Sequence, residues 1–313
     1  MTFPDFPAFF RRFVRLAALL PALVLTQACG NDDEGSTPSG PDTPGTGDMA
    51  AVAQRMEVPA VRQGRQLVAH WTLEGGQPVM TYCLEYDAEA RHSRWVAFRF
   101  DATTRQRNVS RQYFTPQYPR DPQLPQSVAA ADCALYGSGY DHGHLCASAD
   151  RLYSAAANVN TFYMSNMSPQ RPNFNQGYWV TLEGRVQQLG RNSLFADMLY
   201  VVKGGTVAEG QTLGRTRGAQ IAIPAYYWMA LLRVRDGRYS GIAFLMEHAD
   251  HRDVSGRPYS NQYQAPLAAM HAHAVSIDSL ERFTGIDFFP NLPDAAEELV
   301  EQQCDAAAWL GAE

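Results

Sequence analysis

The sequence predicts an α+β protein. Segments of strand character do not alternate regularly with helical ones, which argues against a doubly wound parallel sheet. YYWMALLRV and YSGIAFLM flank the turn Arg235-Asp236-Gly237-Arg238, a hairpin signal. The helical stretches are few, and the longest carries one apolar face, as a layer packed on a sheet requires.

The elements follow in chain order. Arg11, Arg12 and Arg15 precede or interrupt the apolar run FVRLAALLPALVL, which is short for a membrane span and suits an export signal over residues 1–28. TQAC then resembles a bacterial lipoprotein signal with Cys29 as the lipidated first mature residue, although Thr26 stands where Leu is usual. An outer-membrane lipoprotein, periplasmic or on the cell surface, is the expected form, with its membrane contact made through Cys29 only. From Gly30 to Met49 the chain is rich in Gly, Pro, Ser, Thr and Asp and offers no apolar face, so residues 29–55 are expected to be a disordered tether. Residues 56–313 are expected to form one domain.

Within that domain RWVAFRF, Arg94 to Phe100, alternates and reads as a strand. Asp101 to Ser138 is rich in Pro and Gln and predicts a long irregular loop over the surface. NQGYWVTLEGRVQQL predicts a helix capped by Asn175, with Tyr178, Leu182, Val186 and Leu189 on its apolar face. MLYVVKGG, AQIAIP and the two hairpin arms are read as strands of one sheet. SIDSLERFTG, with Ser276 as cap and Gly285 as stop, and PDAAEELVEQQ, with Pro293 in its first turn, predict two further helices.

The net charge of -6 argues against a protein that coats nucleic acid by bulk attraction, but it leaves room for a local arginine-lined groove and so excludes little. Lys203 is the sole lysine, a bias whose simplest source is codon usage. Cys83, Cys133, Cys146 and Cys304 allow three disulfide pairings, and a Cys133–Cys146 bridge would brace the segment between them. No CxxC spacing marks a zinc site. His248 with His251, and His271 with His273, have spacings that suit a metal, but no third motif joins them.

The chemistry concentrates in GYDHGHLCASADR, Gly139 to Arg151, which sets Asp141, His142 and His144 close together. Alone, such a cluster reads as a solvated loop. Downstream, TFYMSNMSPQRPNFNQGYWVTLEGRV adds Asn166, Asn175 and Glu183 at the start of a helix. DHGH, then SNMSPQ from Ser165, then FNQGYW leading to Glu183, together resemble the DNA/RNA non-specific endonuclease family. That family's signature is Asp-Arg-Gly-His, Ser-Asn-x-x-Pro-Gln, Asn-x-Gly-x-Trp and a Glu, in this order.

The resemblance implies a ββα-metal nuclease fold, with a strand carrying the His, a crossing helix carrying a metal-ligating Asn, and a mostly antiparallel central sheet with flanking helices. It implies a metal-dependent, sugar-non-specific endonuclease acting on DNA and RNA, with no protein partner indicated. In that reading His144 is the general base and Asn175 holds Mg²⁺ or Mn²⁺, because an amide oxygen is a hard neutral ligand. Asp141 orients the loop, Asn166 supports the metal's water shell or fixes the loop, and Glu183 holds a metal-bound water if Asn175, Trp179 and Glu183 share a face. His142 stands where the family has Arg, so a permanent guanidinium gives way to an imidazole charged part of the time near neutrality. Arg151, Arg171 or Arg185 would then compensate, or the enzyme would favour mildly acidic pH. The alternative is a catalytically weakened surface lipoprotein that binds nucleic acid without cutting it.

Overall fold

The structure, a computed structural model, describes residues 48–311. These lie within the second of the chain's two units, Asp42–Glu313, so the expected export signal, Cys29 and residues 30–47 of the expected tether fall outside them. The expected tether ends sooner than residue 55. Asp48 caps a short helix, α1 (Met49–Ala53), and Val52 is buried because it packs into the apolar cluster beneath the sheet. Among the described residues no helix is long and apolar enough to cross a membrane.

Three strands follow: β1 (Gln66–Glu74), β2 (Gln77–Asp87) and β3 (His92–Phe100). The β1–β2 hairpin, unassigned from sequence, turns at Gly75 and Gly76, both at positive φ, as a two-residue hairpin turn of this hand requires. Next come β4 (Asp141–His144), α2 (Ala155–Asn160), β5 (Met167–Gln170), a π-helical turn at Phe174–Trp179 and α3 (Val180–Arg191). β6 (Met198–Gly205), β7 (Thr212–Arg215), β8 (Ala222–Pro224), β9 (Tyr226–Arg235), β10 (Arg238–Glu247) and β11 (Ala274–Val275) precede the closing helices. Those are α4 (Ile277–Thr284), α5 (Asp294–Glu301) and α6 (Ala306–Leu310).

Seven strands in the order β1-β2-β3-β6-β9-β10-β11 make one wholly antiparallel sheet. The expected hairpin pairs Arg235 with Arg238, and Ser276 and Gly285 bound α4 as read. β8 departs from expectation: it pairs with β7 in a separate ribbon, because Pro224 ends it before it can join the main sheet.

Val96, Phe98 and Phe100 point to one face of the sheet and meet Trp179, Leu182, Val186 and Leu189 of the long helix. Trp95 and Ala97 point to the other, against Ile277, Leu280 and Val300 of α4 and α5. With helices on both faces, β2 and β3 lose the alternation expected of a half-exposed strand and are buried almost throughout.

The expected irregular segment from Asp101 to Ser138 carries no strand or α-helix, yet it does not simply lie over the surface. Leu124, Ala129 and Leu135 are buried, and buried Asp121 ties the segment to Nε2 of His70 at 3.0 Å and to the hydroxyl of Ser165. Burial alone would raise the Asp121 pKa, but His70 and these hydrogen bonds outweigh it and hold the carboxyl below its usual range.

The four expected disulfide partners are all free thiols. Cys83 and Cys146 belong to clusters on opposite faces of the sheet, and Cys304 is exposed. The bracing expected of a Cys133–Cys146 bridge comes instead from Asn166, described below.

One buried ion cluster ties the long helix to the sheet. Lys203 on β6 sits 3.0 Å from Glu183 Oε1 on α3 and 3.1 Å from Asp150 Oδ2. Its compact ammonium also lies over the Phe98 ring, 5.4 Å from the centroid. Removing the cation leaves two largely buried carboxylates without their shared partner. Lys203→Met should therefore lower the unfolding free energy by about 3–5 kcal/mol, read as a fall in the urea midpoint.

His92 and His248 are buried and neutral. His92 Nδ1 donates to the Ser93 carbonyl at 2.6 Å, leaving Nε2 to accept from Ser168. His248 Nδ1 donates to the Pro224 carbonyl, and its Nε2 accepts the Arg171 N–H, each at 2.8 Å. Burial lowers both pKa values from 6.5 to about 4. The unfolded chain thus binds protons that the native state refuses, so stability is full above pH 6.5 and falls as pH drops toward 4. Unfolding free energies from urea titrations between those limits should decline by up to roughly 1.4 kcal/mol per pH unit for each histidine, and His92→Gln should flatten the slope.

Candidate active site

The residues singled out from sequence converge on one module. β4 carries Asp141, His142 and His144; β5 pairs with it, setting Asp141 opposite Gln170 and His144 opposite Met167; the π-turn and α3 then cross behind with Asn175 and Glu183. Gly143 has a packing reason: a Cβ there would lie 2.2 Å from Gln170 Oε1. Gly177 has another, since a Cβ would meet the backbone N of Ser260 at 2.3 Å.

A groove of about 960 Å³ is lined by Asp141, His142, His144, Asn175 and Glu183. It brings together five of the seven expected site residues.

Asn175 is not the helix cap expected of it. Asn173 stands at the cap position, and Asn175 lies inside the π-turn, where its Nδ2 donates to Asp141 Oδ2 at 2.9 Å. Gln176 Nε2 donates to the same oxygen at 2.7 Å. A carboxylate only accepts, so Asp141 fixes the Asn175 amide with its nitrogen inward and leaves Oδ1 without a hydrogen bond among the described residues. That oxygen is the hard neutral donor that a largely hydrated Mg²⁺ or Mn²⁺ accepts. No group of three or more His, Cys, Asp or Glu among the described residues is placed to hold a metal ion.

His144 lines the groove with its Nε2 buried and without a hydrogen-bond partner among the described residues, and its ring lies nearly perpendicular to that of Phe162, centroids 5.2 Å apart. Burial, then the positive charge of Arg111, lowers its pKa from 6.5 to about 3, so the ring is neutral near neutral pH and can accept a proton. His142 lies face to face with Tyr118, centroids 3.8 Å apart and planes 7° apart. Burial lowers its pKa to about 4 against the opposing pull of Asp141. Burial thus favours the neutral ring near neutral pH, against the expectation of an imidazole charged part of the time there.

Two expected residues stay out of the groove. Asn166 is fully buried, its Oδ1 accepting from Cys146 N at 2.8 Å and its Nδ2 donating to the carbonyls of Cys146 and Thr161 at 2.8 and 2.7 Å. It fixes the turn after β4, the second of the two roles weighed for it, and its spent hydrogen bonds leave nothing for a water shell. Arg185 donates from Nε to the Trp309 carbonyl at 2.8 Å, tying α3 to α6. Nor does Arg151 compensate for the missing family Arg: it is buried over the rings of Phe98 and Phe100. Arg171 lines a separate depression with Asp250.

The groove's guanidinium groups are Arg107 and Arg111, from the irregular segment, where nothing in the sequence pattern distinguished them. Gln176 was equally missed, although its place beside Asn175 was a signal. Lys203 was visible as the sole lysine and was set down to codon usage; it is the partner that opposes the burial-driven rise of the Glu183 pKa. Glu183 lines the groove as expected, but the face-sharing argument fails at Trp179, which is buried because the π-turn breaks the i, i+4 register before α3 begins. His251 and His273 make packing and hydrogen-bond contacts instead of lining the groove. His251 stacks on Tyr178 at 3.9 Å, and His273 Nε2 lies 2.6 Å from the Tyr178 hydroxyl.

Comparison with known proteins agrees with this geometry. A nuclease of Nostoc sp. is 29% identical over 229 residues, spanning 72% of this chain and 76% of that protein. Mitochondrial endonuclease G of Bos taurus is 26% identical over 289 residues, 88% of this chain and 83% of its own. The crystal structure of an EndoG/EndoGI complex superposes with a TM-score of 0.56 at 23% identity, over 69% of this chain and 85% of that one, a likeness of fold. The ββα-metal fold is thereby common to both. The sequence profile of the DNA/RNA non-specific endonuclease family matches residues 66–295, which take in the whole groove module, and the chain therefore belongs to that family and is an endonuclease.

Proposed function

We propose that this protein is an exported, metal-dependent endonuclease that hydrolyses phosphodiester bonds of both DNA and RNA, held at the membrane by lipidated Cys29. The observation that carries the reading is the Asp141–Asn175 pair beside the unpartnered Nε2 of His144 in one groove.

Arg107 and Arg111 draw the phosphate backbone into the groove. A grip on phosphate alone carries no base preference and suits either sugar. His144 Nε2 takes the proton from the attacking water as it approaches phosphorus. A ring whose pKa lies near 3 is a weak acceptor by itself, but the negative charge of a phosphodiester bound beside it favours the imidazolium and raises that pKa. Asp141 keeps Asn175 Oδ1 free of other hydrogen bonds, so that Asn175 would hold the ion, and Glu183, held by Lys203, would orient water beside it. Mg²⁺ or Mn²⁺ bound through Asn175 would supply a Lewis acid to the phosphoryl and leaving oxygens.

The deciding assay incubates purified protein and His144→Ala with plasmid DNA and with RNA in Mg²⁺, with and without chelator. Wild type should cut both polymers, chelator should abolish cutting, and His144→Ala should lower the rate about 10²–10⁴-fold. Binding without chelator-sensitive cutting would favour the weakened nucleic-acid-binding lipoprotein instead. The pH profiles should also separate. The kcat/KM profile, which reports the free enzyme, should hold down to about pH 4, whereas kcat, which reports the complex, should fall at a higher pH. Coincident acid limbs would remove His144 from the base role.

A further inference from the structure

The imidazole at position 142 sits among aromatic rings. Tyr118 covers one of its faces, and Tyr136 meets it edge-on, centroids 4.8 Å apart at 71°. Tyr136 lines the groove, yet it is 64% exposed. Tyr113, 78% exposed, stands beside Arg111, whose guanidinium carbon is 5.8 Å from its ring. Scattered exposed aromatics are ordinary, but Tyr118, Tyr136 and Tyr140 line the same groove as Arg107 and Arg111, with Tyr113 outside that lining and beside Arg111, and this combination is specific. A single strand is held by cations along its phosphates and by π-faces under its bases, and every base has such a face. In a duplex the bases already stack on one another, so the same rings find fewer free partners.

The half-buried His142 has one face taken by Tyr118, and it offers no charge to a phosphate near neutral pH. What it does supply is a rigid backing: the Tyr118–His142 stack fixes the edge against which Tyr136 rests. A side chain fixed in this way loses little conformational freedom when a base settles on it.

We propose that Tyr136, backed by the His142–Tyr118 stack, is a base-stacking platform that makes single-stranded polynucleotide the preferred substrate of this groove. The inference rests on the endonuclease reading above and adds the substrate form and the residue that selects it.

The test compares full-length wild type, Tyr136→Ala and Tyr136→Phe on single-stranded and blunt duplex oligonucleotides of the same sequence in Mg²⁺. The ratio of kcat/KM for single strand over duplex should exceed one in wild type. It should fall on the order of tenfold in Tyr136→Ala, chiefly through KM, and be kept by Tyr136→Phe, which retains the ring. An unchanged ratio in Tyr136→Ala overturns the proposal. A second measurement reads stacking without cleavage. A single strand carrying 2-aminopurine, mixed with His144→Ala, should lose fluorescence on binding, and should keep it when Tyr136→Ala is added. If wild type fails to cut while this quenching depends on Tyr136, the hydrolytic reading falls and the platform stands. Quenching that ignores Tyr136 overturns the platform whether or not the protein cuts.

Discussion

The site depends on one carboxylate accepting two amide N–H groups. Asp141 Oδ2 takes hydrogen bonds from Asn175 and Gln176, and in doing so joins the first strand of the ββα module to the helix that crosses it. Because a carboxylate has nothing to donate, the pairing has only one sense, and Asn175 must show its oxygen to the groove. An unpaired Asn would present either end at similar cost. The module thus sets the chemistry of the proposed metal ligand through a neighbouring carboxylate.

That pair would mean little if strand and helix could slide. Three buried contacts hold them. His248 bridges the end of β8 to the Arg171 N–H at the entrance to the π-turn. Lys203 clamps α3 to β6 through Glu183 and draws in Asp150 from the turn beyond β4. Asn166 closes the backbone just after His144 with three hydrogen bonds. Each is a polar group in the interior, so each is worth most when its full set of partners is present. The low dielectric that strengthens these contacts also depresses the pKa of His142 and His144, and supporting shell and reactive group are therefore consequences of the same burial.

Much of this was legible beforehand. The hairpin at Arg235–Arg238, the strand at Arg94–Phe100 and the apolar face of the long helix follow from periodicity and turn chemistry, which are local properties. Linked motifs pointed to Asp141, His144, Asn175 and Glu183 because their order and spacing survive without knowledge of the contacts. The misses have a common cause. The cap assigned to Asn175, the face shared with Trp179, the partial charge on His142 and the Cys133–Cys146 bridge were each read from spacing or reference values. The first three were overturned by what packs nearby, a π-turn, a buried core and a stacked Tyr118, while Cys133 and Cys146 remain free thiols.

By itself, then, the sequence determined the α+β class, the family and the identities of the groups able to act on a phosphodiester. It could do so because residue type and local period carry that information directly. Tertiary structure decided the protonation of the histidines, the facing of the Asn175 amide, and the choice of Arg107 and Arg111 over Arg151, Arg171 and Arg185 as groove cations. These are properties of burial and of neighbours distant along the chain, and no one-dimensional pattern records how much water a side chain loses when the sheet and its helices close over it.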